Sequence, residues 1–304
     1  MPLWLRWGLT LLLLLAIAFF LDVGVIWREL ARFSVPMLLA AMIISMLQVL
    51  VSAWRWRYTA GRLAISLPFW VAVREYYLAT FLNQVLPGGV LGDVNRAWRH
   101  SLGSGARLGA LHAVMIERLS GQVVMISVAL GLGGWLATHR GRTADVVADL
   151  GGGAVAVAAT VVILLAILAR FWAGGKGYVY ALRRDIRKSL LSWPAILIQV
   201  SSSAVVVVTY LGVFAVLALG AGYWAGLLEL MILMTLASLL LLAMAVPVSV
   251  AGWGVREGAA ALLWPLAGLP PEQGVALSVG YGLAVLISSL PGVVFIVSSR
   301  RTAG

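Results

Sequence analysis

The sequence contains no cysteine and only three histidines, His100, His112 and His139. Without thiols there is no disulfide framework, thiolate metal site or cysteine nucleophile, and three dispersed histidines make no ligand cluster. Metal and cysteine chemistry are disfavoured, and no cofactor is expected. No nucleotide-binding motif is present either, so any ATP dependence would have to come from a partner protein. Charge is equally scarce: 11% of residues are charged, 62% are hydrophobic, and the mean hydropathy is +1.02. A soluble fold of 304 residues with this composition would lack polar surface. The apolar runs are continuous and show no period-two alternation, which excludes an outer-membrane barrel.

What is present is a series of apolar runs, at 9–21, 35–53, 108–137, 151–169, 193–219, 224–246 and 275–299. Most are long enough to cross a hydrocarbon core, which takes about 20 helical residues. The first is the shortest. Arg6 precedes it, as in a signal peptide, but no small-x-small cleavage site follows Phe20, so it is read as a retained first helix. The expected fold is an all-α polytopic integral membrane protein.

The net charge of +11 reports topology rather than nucleic-acid binding, because the basic residues cluster between the runs. Arg55, Arg57, Arg62 and Arg74 face only Glu75. Arg96, Arg99 and Arg107 face only Asp93, and Arg170, Lys176, Arg183, Arg184, Arg187 and Lys188 face only Asp185. These three loops are expected in the cytoplasm. The segments around Asp22 to Arg32, Arg140 to Asp149 and Gly220 to Tyr223 are balanced or uncharged and are expected outside. Arg300 and Arg301 place the C-terminus inside, which puts both termini in the cytoplasm of a bacterial or archaeal plasma membrane.

Two strongly basic loops, 54–75 and 96–107, flank one apolar segment, 76–91, and a single span cannot have both ends inside. Pro87, Gly88, Gly89 and Gly92 break that segment, which favours chain reversal. Residues 70–103 are therefore read as a re-entrant hairpin, tolerated where protein or water satisfies its backbone. A second break runs from Pro247 through Gly252 to Gly254, within a hairpin at 224–268. The two breaks share the pattern Pro-x4-Gly-x3-Arg, from Pro87 to Arg96 and from Pro247 to Arg256. The resulting plan is a single membrane domain, 1–304, of about six spans and two hairpins. Its repeats, 1–137 and 138–304, have opposite orientation, as in secondary transporters whose broken helices meet at the binding site. The alternative is an eight-span bundle in which both Pro/Gly segments are interfacial loops.

Residues 176–191 place Val179, Leu182, Ile186 and Leu190 at helical spacing among basic residues, which suits a helix lying on the inner surface. Trp4, Trp7, Trp54, Trp56, Trp172 and Trp193 lie near run ends and are read as interface anchors. Gln199, Ser201, Ser202 and Ser203 make a polar patch, read by default as close helix packing.

Charges inside the apolar regions are the sharpest functional signal, since each is costly unless paired or hydrated. Asp93 and Arg96 follow the first break, Arg256 and Glu257 follow the second, and Glu117 and Arg118 lie about two turns into the run at 108–137. Glu229 falls near the expected outer interface. Arg96 and Arg256 should sit at helix N-termini, where the helix dipole favours an anion. With Arg118 they are candidates to surround a phosphate, and Asp93, Glu117 and Glu257 would neutralise them in the empty site. The competing possibility is a set of internal salt bridges that lock the hairpins in place. Asn83 and Ser249 are expected to bond carbonyls freed by the two breaks.

At these residues the chain resembles the lysylphosphatidylglycerol synthase transmembrane-region family, also called flippase-like domain proteins. The resemblance rests on Asn83, Leu86-Pro87-Gly88-Gly89, Gly92-Asp93, Arg96 and Glu117-Arg118, and on Pro247, Ser249, Gly252 and Gly254-Val255-Arg256-Glu257. The usual Gly-Gly-Asp reads Leu91-Gly92-Asp93 here, and Trp253 replaces a small or aliphatic residue. The resemblance implies two inverted hairpins and a role in moving phospholipids or related amphiphiles between leaflets. Fused relatives carry a soluble aminoacyl transferase domain after the membrane part. None follows up to Gly304, so the chain is expected not to be an enzyme.

The leading expectation is a translocator of a phosphate-bearing phospholipid or polyprenyl-phosphate-type lipid. Its partners would be membrane lipids with an anionic head group, and no nucleic acid. An enzyme acting on lipid-linked phosphate or sugar, with Asp93 and Glu117 as acid and base, is one alternative. A scaffold subunit for a synthase or glycosyltransferase is another.

Overall fold

The computed structural model describes residues 3–86, 89–139, 176–224, 226–244, 249–250 and 252–295. Among these the structure is helical, without strands. The expected span at 151–169, the loop around Arg140 to Asp149, Trp172, and the tip residues Pro87, Gly88 and Pro247 lie outside the described residues.

Helix α1 (Leu3–Phe20) is leucine-rich and breaks at Leu21 and Asp22. Asp22 caps α2 (Val23–Leu30), its Oδ1 accepting from Gly24 N at 2.7 Å and Val25 N at 3.1 Å. The two helices meet at 97° and are long and apolar enough to cross a membrane only as a pair. The sequence placed a loop where α2 stands. A carboxylate accepting two backbone N–H groups is what starts a helix there.

Helix α3 (Val35–Arg62) continues well beyond the apolar run that predicts it. Its 28 residues span about 42 Å, more than a hydrocarbon core, so the expected loop at 54–62 is helix. Hydropathy registers where apolar side chains stop, whereas Trp, Arg, Tyr and Ala continue a helix without strain. Helix α4 (Phe69–Val85) and helix α5 (Leu91–Ser104) then form the first hairpin. Contacts run in opposite senses along the two arms: Asn83 and Ala79 meet the start of α5, Glu75 meets Arg99, and Ser66 meets His100. Gly92 makes the reversal possible, because a Cβ there would collide with the Ala79 backbone. Gly105, at φ 67°, ends α5, and α6 (Arg107–His139) follows.

Helix α7 (Lys176–Ile186) and a π turn (Arg187–Leu191) occupy the predicted surface segment. The face turned to the protein is polar rather than apolar: Asp185 is buried against His112, with its Oδ2 2.7 Å from Nδ1, and Ser189 is buried too. Val179 and Tyr180 stay exposed, at 54% and 73%. Helix α8 (Ala195–Gly220) packs on α3, where Gln199 donates to Thr59 and Gly212 lies against Ile44. Helices α9 (Leu227–Ala243) and α10 (Val255–Leu266) form the second hairpin, and α11 (Pro271–Ser288) packs against α10. Glu229 lies in the exposed first turn of α9. Helix α1 reaches this second hairpin, where Thr10 Oγ1 accepts from Val250 N at 3.0 Å.

Four stretches are long and apolar enough to cross a membrane singly: Val35–Arg62, Arg107–Leu136, Ala195–Gly220 and Pro271–Phe295. The α1–α2 pair, bent by 97°, is a fifth only if it crosses as one broken span. Large apolar side chains such as Leu15, Ile43, Val123 and Val208 point outward, as lipid-facing positions do. The protein is a multi-pass helical membrane protein.

Candidate functional site

Helices α3, α4, α5, α6 and α8 converge on one buried charged cluster. Asp93 and Arg96 come from the start of α5, and Arg96 Nε donates to Asp93 Oδ1 at 2.9 Å. Arg96 Nη2 donates to Glu117 Oε2 of α6 at 2.7 Å. Arg118, also on α6, pairs with Asp93 Oδ2 at 2.6 Å. Arg55 of α3 donates to Glu117 Oε1 and, at 2.9 Å, to Ser203 Oγ of α8. Arg96 and Glu117 are fully buried, and Arg55 and Asp93 nearly so.

The guanidinium of Arg96 lies over two aromatic rings, 4.7 Å from the Trp56 centroid and 4.4 Å from that of Tyr76. These faces attract a desolvated cation and hold it in one plane. Tyr76 also donates to Glu117 Oε1 at 3.3 Å. Trp56 is therefore a buried arginine platform rather than the interface anchor that its position near a run end suggested, whereas Trp4 and Trp193 are exposed as anchors should be.

A polar shell extends from the cluster. Ser203 donates to Ser120 at 3.3 Å, and Gln199 donates to Thr59 at 2.8 Å and to the Ser189 carbonyl at 3.2 Å. Of the polar patch at 199–203, Ser203 accepts from Arg55 and Gln199 bonds the neutral groups beside it, while Ser201 stays exposed.

The first helix start is already occupied. Asn83 Oδ1 accepts from Gly92 N at 2.8 Å while Asn83 Nδ2 donates to Asp93 at 3.0 Å. Asn83 was expected to serve carbonyls freed at the end of α4. It caps α5 instead, because the hairpin brings the donor of Gly92 within its reach.

Arg256 and Glu257 form a second, separate cluster, with no hydrogen bond or ion pair to Arg96 or Arg118 among the described residues. Arg256 donates to Glu257 Oε1 through Nη2 at 2.8 Å and through Nε at 3.1 Å. Ser278 of α11 bridges the two, accepting from Arg256 Nε at 2.7 Å and donating to Glu257 Oε1 at 2.8 Å. Glu257 Oε2 accepts from Gly254 N at 2.7 Å and so caps α10. Gly252 and Gly254 adopt φ of 80° and 82° to make this turn. Trp253 and Tyr281 flank the guanidinium, at 4.8 and 5.5 Å. Ser249 is buried beside the turn, and its Oγ has no partner among the described residues.

The structure thus brings Arg96, Arg118, Asp93, Glu117 and Asn83 together and adds Arg55, Tyr76 and Trp56. Arg256, Glu257 and Ser249 stand apart. Of the tip residues described, Gly89 lies in the first turn, at φ 61°. The three arginines of the first cluster face two carboxylates, a net charge of +1. Arg55 Nε, Arg96 Nη1 and Arg118 Nε are buried without a partner among the described residues. Donor groups and positive charge both exceed the acceptors found for them among the described residues.

A sequence model described as lysylphosphatidylglycerol synthase TM region matches residues 5–292. No curated protein and no solved structure matches the chain.

Proposed function

We propose, from the premise that this chain belongs to the lysylphosphatidylglycerol synthase TM region family, that it moves a phosphate-bearing lipid between the leaflets of its membrane. The observation that carries this reading is the acceptor deficit of the first cluster: three guanidinium groups, two carboxylates and three buried N–H groups without partners among the described residues. One phosphate would supply the missing charge and acceptors. Arg118 makes the first contact, because its side chain is 38% exposed whereas those of Arg96 and Arg55 are 0% and 4%. The lipid tails remain in the bilayer.

The two halves are read as an inverted repeat. Support comes from the shared Pro-x4-Gly-x3-Arg pattern and from the same order of elements, α3, α4–α5, α6 and α8, α9–α10, α11. In that arrangement both termini are cytoplasmic. A cysteine replacing Gly103 is then shielded from an impermeant reagent added outside, and one replacing Gly222 reacts. Labelling of Gly103 from outside would remove the re-entrant first hairpin.

The chain is read as a transporter rather than an enzyme because Asp93 and Glu117 have both oxygens engaged by guanidinium groups, which leaves neither one aimed at a substrate. The test is purified protein in vesicles containing a fluorescent phospholipid, with dithionite quenching from outside. Movement of the probe leaves no protected pool. A protected pool equal to that of empty vesicles, or a lipid product accumulating in its place, contradicts the proposal.

A further inference from the structure

A chain of buried hydrogen bonds leaves the arginine cluster and ends on the surface segment. Arg55 Nη1 donates to Ser203 Oγ at 2.9 Å, Ser203 donates to Ser120 Oγ at 3.3 Å, and Ser120 Oγ lies 3.5 Å from Gln199 Oε1. Gln199 Nε2 then donates at 3.2 Å to the carbonyl of Ser189, inside the π turn. Every residue in the chain is buried, and every link joins two different elements among α3, α6, α8 and the π turn.

The amide of Gln199 is fully committed. The Ser189 carbonyl can only accept, which fixes the amide's orientation, and the same nitrogen donates to Thr59 Oγ1 of α3 at 2.8 Å. The receiving turn is itself unusual, because its hydrogen bonds run to the fifth residue, and single π turns recur at functional sites. Two other contacts hold the same segment without passing through Gln199. Arg62 Nη2 donates to the Lys188 carbonyl at 3.0 Å, and Asp185 meets His112 at 2.7 Å.

Ser120 is the point at which the chain can switch. A hydroxyl has one proton to give. Two acceptors lie within its reach, the Glu117 carbonyl at 2.9 Å and Gln199 Oε1 at 3.5 Å. Donation to the carbonyl separates the π turn from the cluster, and donation to Gln199 completes the chain. Coupling between distant groups requires an element with two discrete arrangements, and this hydroxyl is one.

We infer that Gln199 is a positioning residue that couples the surface segment to the arginine cluster. Displacement of α7 and its π turn withdraws the Ser189 carbonyl and frees the Gln199 amide, which re-aims Ser120, Ser203 and the Nη1 end of Arg55. Arg55 divides its guanidinium between Ser203 and Glu117, so its hold on Glu117 changes with the position of α7. Coupling is reciprocal, and a cut at the cluster end must therefore alter the π turn. The inference does not rest on the transport reading, and its test involves no lipid movement.

The sequence has no cysteine, so Ser189→Cys introduces the only thiol. Ser189 is fully buried, and a thiol there reacts with maleimide when the π turn opens. The labelling rate is measured on the full chain in phosphatidylcholine nanodiscs. Ser203→Ala cuts the chain and leaves both partners of the Arg55–Glu117 pair in place. It should raise the rate about threefold or more, towards the lower end of coupling within one hydrogen-bond network. In a Gln199→Met background the same substitution should have no further effect, whereas independent loosening of the bundle would add. Circular dichroism establishes that each variant is folded. Arg55→Lys makes the cut if Ser203→Ala does not fold, and Ser120→Ala supplies the background if Gln199→Met does not. An unchanged rate in the folded Ser203→Ala protein, or the same rise with and without Gln199, would overturn the coupling.

Discussion

Arg96 and Arg256 follow the same break pattern and are held in the same way, yet their surroundings differ in charge. Each is fully buried, lies between a tryptophan and a tyrosine, and pairs with a carboxylate at the third residue of its helix. Around Arg256 the count closes: one arginine, one glutamate, and a serine that both accepts and donates. Around Arg96 it does not close, because Arg55 and Arg118 bring two more cations and Glu117 only one more anion. The same local recipe closes as a neutral pair in one hairpin and leaves an excess positive charge in the other. The deciding residues lie outside the repeated motif, on α3 and α6.

The comparison is tested most severely at Arg256. Its removal strands a buried glutamate, and breaking a buried pair costs about 3–5 kcal/mol. Arg256→Ala should therefore lose most of its thermal stability in detergent, followed by tryptophan fluorescence. A melting temperature within a degree or so of wild type, about the effect of a neutral surface change, would show that the second cluster is no clasp. Gly92→Ala comes next, since its Cβ meets the Ala79 backbone and forced repacking costs about 1–3 kcal/mol. The same measurement checks it, and an unaffected variant would mean that the hairpin arms are not in close contact there.

Coupling sharpens the comparison further. Arg96 and Arg118 share Asp93, so the combined effect of Arg96→Ala and Arg118→Ala should depart from the sum by about 0.5–3 kcal/mol. Arg96→Ala and Arg256→Ala share no partner among the described residues and should add to within about 0.5 kcal/mol. Strong coupling in the second pair would restore a single site holding both arginines, the arrangement that the sequence repeat by itself suggests.

The all-helical membrane character was legible in the apolar runs, and the paired arms α4–α5 and α9–α10 in the two Pro/Gly breaks. The charged residues of the first cluster were legible too, with one exception. Arg55 was read as a topology marker because the apolar run stops at Ala53. Its membership was nonetheless written in spacing: Ser45, Gln48, Ser52, Arg55 and Thr59 recur at intervals of three and four, and all five are buried. A polar stripe with heptad spacing running through an apolar segment marks an inward face, and hydropathy averaging hides it. Tyr76 carried no such signal, because an aromatic residue in an apolar helix is ordinarily core. The capping role of Asn83 depends on the fold of the hairpin, which brings Gly92 nine residues back onto it.

Arg118 is where charge excess and exposure coincide, so it is where the account is most directly tested. Wild type and Arg118→Gln are reconstituted at equal density, and the rate of dithionite-accessible lipid exchange is measured alongside the melting temperature. Arg118→Gln should change stability by no more than about 1 kcal/mol, as for a partly exposed ion pair. It should lose exchange by tenfold or more, the consequence of about 1.4 kcal/mol or more at a phosphate contact, with partial recovery in Arg118→Lys, which keeps the charge but loses the planar fork. A folded Arg118→Gln protein that moves lipid at the wild-type rate would contradict it.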